Sequence, residues 1–112
     1  MITKFKVPNK ISVKLKKRKL IYKNLRIDFL ARNPYCAWGL KQNPPRRIPA
    51  TQTHHKFGRI GRLLNYVPAF IAVSAEGHDF INNNPDKARE FGLLCQRGQY
   101  NSYNAAVKYY EG

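Results

Sequence analysis

Acidic residues are what this chain has least of. Only 6 Asp and Glu stand against 21 Lys and Arg in 112 residues, a formal charge of +15. A field of that sign and size points to a polyanionic partner, nucleic acid first and an anionic membrane second. Cysteine is scarce as well. Cys36 and Cys95 cannot build a disulfide framework, which fits a reduced, cytoplasmic setting. No apolar run approaches the ~18 residues a transmembrane helix requires, so no membrane span is expected. The opening MITKFKVPNKISVK interleaves charge with apolar residues and has no hydrophobic stretch of the kind a secretory signal carries. The length suits one small domain with a modest core.

The positive charge is concentrated at the start. Residues 1–27 contain no acid, and Lys14, Lys16, Lys17, Arg18 and Lys19 are the densest part. Ile11, Val13 and Leu15 alternate with Ser12, Lys14 and Lys16, the period of a strand or an extended arm. Residues 1–19 therefore read as a basic arm that neutralises phosphates, with a solvated tail as the alternative. From Leu20 to Ala31 the apolar residues Leu20, Ile21, Leu25, Phe29 and Leu30 predict a short helix. It stops before Asn33-Pro34, because a residue preceding proline disfavours the α region. Residues 20–112 then form a single domain.

Lys41–Pro49 (KQNPPRRIP) is a proline-rich loop without regular structure. Its Arg46 and Arg47 could grip phosphate or equally stand as an exposed pair. Ala50–His55 reads as a first strand and Val67–Ser74 as a second. Between them Gly58 and Gly61 permit tight backbone, and Lys56, Arg59 and Arg62 supply positive charge. Ser74 is a plausible N-cap for a helix running through His78 to Asn82 or Asn83. Asn84-Pro85-Asp86 opens another helix, and Gly92 stops it. The Tyr- and Asn-rich tail 99–110 could stack on bases, with packing on the core as the default.

All three histidines fall within Thr51–Asn82. Neighbours on a strand point to opposite faces, so His54 and His55 are expected to do different jobs. Residues four apart on a helix share a face, so His78 and Asn82 can act together. A doublet on a strand opposite a pair on a helix can hold one metal ion and leave a separate histidine as a base.

The run HHKFGRIGRLL, an apolar strand, GHDFIN and NPDKAREFGLL together resemble the HNH endonucleases, in particular the small ones common in phage genomes. The likeness covers about residues 33–94. It implies an α+β fold with a ββα-metal core, here preceded by the N-terminal helix and basic extended arm. It also implies a phosphodiester-cleaving endonuclease or nickase acting on DNA, with His55 as general base and His54, His78 and Asn82 as ligands of one divalent ion. Asn82 replaces a histidine found in many relatives. An amide oxygen is a harder ligand than imidazole, which favours Mg²⁺ or Mn²⁺ over Zn²⁺. Lys14, Lys16, Lys17, Arg18, Lys19, Arg46, Arg47, Lys56, Arg59 and Arg62 are the expected nucleic-acid contacts.

The chain departs from the family pattern in two places. Many relatives carry four zinc-binding cysteines where this chain has Cys36, Gly39, Ser74 and Gly77, so no structural zinc is expected, and Trp38 and Tyr35 are the candidate space-fillers. The family's middle asparagine falls near Ala69, and Asn65 is the candidate substitute. The alternatives are an inactive HNH-fold protein binding DNA or a phage packaging or replication partner, and a ribosomal-type RNA-binding protein. For a phage product the setting would be the host cytoplasm.

Overall fold

A computed structural model describes residues 6–112, with side chains from residue 13 onward. Helices and strands are mixed, an α+β architecture built around one two-stranded antiparallel sheet. Helix α1 spans Lys6–Arg32 and a single turn, α2, spans Ala37–Leu40. Strands β1 (Gln52–His55) and β2 (Phe70–Val73) follow, and then helices α3 (Ala75–Asn83), α4 (Pro85–Glu90) and α5 (Tyr103–Glu111).

The expected extended arm is a helix wherever the chain is described; residues 1–5 lie outside the described residues. The physical reason lies in composition and continuity. A six-residue alternation has no partner strand to pair with. Lys, Leu and Arg are strong helix formers, and a helix already nucleated by packing at its C-terminal end extends at little further cost. The buried face also differs from the expected one. Leu20 and Ile21 are exposed, and Tyr22, Leu25, Arg26, Phe29 and Leu30 are the half-buried positions. Phe29 and Tyr22 meet Phe70 of β2 edge-on, with centroids 5.5 and 5.9 Å apart. Asn65 donates its side-chain amide to the Arg18 carbonyl at 3.2 Å and so ties α1 to the loop between the strands. The helix ends at Arg32, before Asn33-Pro34 as the proline predicts.

In the hairpin Gln52 pairs with Val73, Thr53 with Ala72, His54 with Ile71 and His55 with Phe70. Backbone bonds from Thr51 to Val73 and from Lys56 to Ala69 continue the pairing one step at each end. The second strand begins later than expected. Val67-Pro68-Ala69 makes a 3₁₀ turn, since proline fixes φ and offers no N–H to a ladder. A second such turn spans Gly61–Asn65.

One apolar cluster joins Cys36, Trp38, Val73, Ile81, Ala88 and Leu93, between the sheet and helices α2 to α4. A second joins Phe57, Leu63, Ala69, Cys95 and Ala106, where α5 closes over the interstrand loop. The tail thus packs on the core. Ser74 caps α3 as its sequence suggests, its Oγ accepting from the Gly77 N–H at 3.0 Å. Asn84 precedes α4 without a side-chain cap; its amide donates instead to the Phe80 carbonyl. Gly92 takes the positive φ of a helix stop at 76°.

Cys36, Ser74 and Gly77 meet in space, whereas Gly39 lies against Arg46 and Ile48. Ser74 Oγ lies 3.4 Å from Cys36 Sγ, and a Cβ on Gly77 would stand 2.6 Å from the same sulfur. Trp38 is buried beside them, whereas Tyr35 is 42% exposed and fills no space there, contrary to expectation.

Candidate functional site

The hairpin and α3 bring the three histidines to one place. Strand alternation sends the doublet to different sides: the His54 ring faces His78 on α3 at a centroid distance of 5.5 Å. His55 lies on the α1 side, 5.3 Å from the Tyr22 ring and 5.1 Å from its cross-strand neighbour Phe70. Both still border a single cleft of about 120 Å³, lined by Thr53, His54, His55, Arg59, His78, Asn82 and Tyr100. The four residues expected from sequence to form the centre are thus together around one space. His78 and Asn82 share a face of α3, as their i, i+4 spacing requires.

Each histidine is held by one ring nitrogen against an oxygen that can only accept. His54 Nε2 donates to the Leu93 carbonyl at 3.1 Å, His55 Nε2 to the Leu64 carbonyl at 3.1 Å, and His78 Nδ1 to Gln52 Oε1 at 2.9 Å. The backbone carbonyls fix the His54 and His55 tautomers and leave a lone pair on each Nδ1, while the bond from His78 Nδ1 to Gln52 leaves its Nε2 without a protein partner. An oxygen acceptor behind the ring is also the usual support of a histidine that binds a metal.

Burial keeps the doublet uncharged. Loss of hydration, with the neighbouring His78 second, lowers His54 to about 4. His55 is lowered too, by burial first and by Arg59 and His78, while its bond to the Leu64 carbonyl acts the other way. At neutral pH both rings therefore present lone pairs rather than protons.

Two rings that share one ion at ~2.1 Å have centroids about 4.5–5.5 Å apart for bond angles near 90–115°. The His54–His78 separation is compatible with that. Among the described residues no three His, Cys, Asp or Glu side chains are grouped to hold a metal. The candidate donor set is two imidazoles and the Asn82 amide, with the remaining positions left to water, a composition suited to a hard ion that keeps part of its hydration.

The expected phosphate contacts divide into distinct groups. Lys14, Lys16, Lys17, Arg18 and Lys19 are exposed along α1, and Arg59 is exposed on the loop bordering the cleft, whereas Arg62, also exposed, does not line it and lies over the Tyr103 ring of α5 at 4.2 Å. Arg46 and Arg47 are exposed but engaged: Arg46 pairs with Glu76 at 3.8 Å and lies over Trp38, and Arg47 lies over Tyr35. Lys56 departs from expectation. It is only 7% exposed, folded against Tyr109 with its ammonium 3.1 Å from the phenol oxygen and 4.3 Å from the ring centre. The strand turns at His55, so the next side chain points under α5 rather than to the surface.

Asn65, the candidate from sequence for orienting His55, makes its side-chain bond elsewhere. Its amide serves α1, and the orientation of His55 comes from the adjacent Leu64 carbonyl. Sequence reasoning missed Gln52 and Tyr22. Gln52 sits two residues before His54, where alternation places it on the same face. Tyr22 would have emerged from counting the helix period back from Phe29 through Leu25 and Arg26. Comparison with family models, with curated proteins and with solved structures finds no match to this chain.

Proposed function

We propose that the chain is a metal-dependent DNA endonuclease or nickase of the HNH type, with β1, β2 and α3 as its ββα-metal core. One observation carries this reading. Three histidines, each held at one ring nitrogen by an oxygen acceptor, border a single cleft with the other nitrogen free. Any buried histidine needs a partner for its ring N–H; what supports the reading is that the three rings converge with Asn82 on one opening, as hydrolysis of a phosphodiester requires.

His55 is the general base. Its Nδ1 takes a proton from water as the water oxygen bonds to phosphorus and the bond to the leaving 3′ oxygen breaks. The Leu64 carbonyl holds the ring in position and stabilises the imidazolium that forms. His54 Nδ1, His78 Nε2 and Asn82 Oδ1 would hold one Mg²⁺ or Mn²⁺. That ion, when bound, offsets charge on the phosphate and on the leaving oxygen. Arg59 borders the cleft from the loop, exposed to solvent, where it can meet a further phosphate oxygen. Gln52 is a positioning residue, acting through His78.

The test is conversion of supercoiled plasmid to nicked or linear product with Mg²⁺ or Mn²⁺, compared between the native chain and His55→Ala. Cleavage by the native chain, lost in the variant and in chelator, supports the reading. A folded, DNA-binding native chain that never cuts would make it a DNA-binding protein on the same scaffold.

A further inference from the structure

A second, larger opening adjoins the histidine cleft. It has a volume of about 340 Å³ and lies between α1 and the hairpin, lined by Tyr22, Lys23, Arg26, Gln52, Thr53, Arg59 and His78. Thr53, Arg59 and His78 border both spaces, so the two lie side by side. The helix wall lies outside the stretch that resembles the HNH family.

Three of the seven residues lining the groove are cations. Lys23 and Arg26 stand one turn apart on the same side of α1, and Arg59 faces them with its guanidinium 5.5 Å from the Tyr22 ring centre. None of the six acidic residues lines the groove. Among the described residues none of these three cations makes an ion pair, although Arg32, Arg46, Lys87, Arg89 and Arg97 do. Three cations held near one another without counter-charge repel, and a polyanion relieves that repulsion. The half-buried Tyr22 fixes the wall: its ring is packed between Arg59, His55 and Phe70, so the groove is preformed and needs no rearrangement of α1.

We propose that this groove seats one strand of the DNA, with Lys23, Arg26 and Arg59 engaging the phosphates next to the one presented to His55. The idea rests on the nuclease reading for the role of His55, but not for the binding itself. Helix α1 becomes the element that sets the direction in which the strand enters the cleft. Of its exposed cations, Lys16 and Lys19 fall on the same side as Lys23 and Arg26 by helical periodicity and continue the track along a helix ~40 Å long.

Binding of a short labelled DNA duplex is followed by fluorescence anisotropy in chelator over a range of salt. Each phosphate contact contributes about 0.9 to the slope of log affinity against log salt. Lys23→Gln/Arg26→Gln should therefore flatten the slope by about 1.8, and Arg59→Gln by about 0.9. Lys41→Gln/Lys108→Gln removes the same charge from exposed positions away from the groove and should change the slope by less than half as much. If the first double variant fails to fold by circular dichroism, Lys23→Gln alone, at an exposed position, should still cost about 0.9.

Equal slopes for the two double variants would overturn the proposal, because charge rather than the groove would then set affinity. Equal competition by polyglutamate at matched charge, weakened alike by the groove substitutions, would overturn it in favour of an acidic polypeptide partner. The two readings fail separately. A chain that shows the predicted slopes but never cuts refutes the nuclease alone, and a chain that cuts with an unaltered slope refutes the groove alone.

Discussion

The buried doublet makes the metal-free protein sensitive to mild acid. His54 is 7% exposed, and its pKa falls from 6.5 to about 4 because burial strips its hydration and His78 stands nearby. In the unfolded chain it titrates at the ordinary value, so between these two values the unfolded state binds more protons. The stability that comes from keeping His54 neutral is then complete above pH 6.5 and is lost as pH falls towards 4. Linkage gives a loss of about 2 kcal/mol between pH 7.5 and pH 5 from His54 alone, and His55 shifts in the same direction. For a domain of this size that lowers Tm by roughly 10 °C. Urea or thermal unfolding in chelator at the two pH values measures it. His54→Gln keeps an amide able to donate to the Leu93 carbonyl and cannot titrate, so its pH dependence should be shallower by that amount. The exposed ion pairs contribute little over this range. Equal stability at pH 7.5 and pH 5, or an unaltered dependence in His54→Gln, would refute the account of a neutral, desolvated histidine.

His55→Ala should lower plasmid cleavage by about 10²–10⁴-fold while leaving DNA affinity nearly intact, measured by nicking rate and anisotropy on the same preparations. Asn82→His should shift the ion preference towards Ni²⁺ or Zn²⁺, since the donor set becomes three imidazoles; a titration of activity across divalent ions reads this directly. Gly77→Ala places a methyl 2.6 Å from Cys36 Sγ and 3.2 Å from Trp38 Cβ in a packed site. Overpacking exceeds the gain in helix propensity, and the net cost is about 1–2 kcal/mol in chemical denaturation. The cost should shrink when Cys36→Ala removes the opposing sulfur.

Much of the site was legible because it rests on short-range rules. The i, i+4 relation of His78 and Asn82, the Ser74 cap and the stop at Gly92 follow from local geometry, and the structure realises them. The α+β class was what the family resemblance implied, and the mixed helices and two-stranded sheet agree with it at that level. What escaped depends on distant parts of the chain. The carbonyls of Leu93 and Leu64 that fix the tautomers are 39 and 9 residues from the histidines they hold, and a backbone oxygen leaves no mark in the sequence. Lys56 reads as a surface cation because its type is usually exposed; only the fold of α5 over the loop buries it against Tyr109. In residues 11–16 a weak period of two competed with the helix propensity of Lys, Leu and Arg. Attachment to the packed end of α1 favoured the helix.

The claim that the histidine cleft is a one-ion hydrolytic centre is tested most directly by plasmid nicking and circular dichroism on one preparation, each with Mg²⁺ or Mn²⁺ and with chelator. The account predicts cutting with the ion, none in chelator, and an unchanged folded spectrum in both. Cutting that persists in chelator would contradict it, as would unfolding when the ion is withdrawn. A native spectrum with no cutting under any divalent ion would contradict it as well.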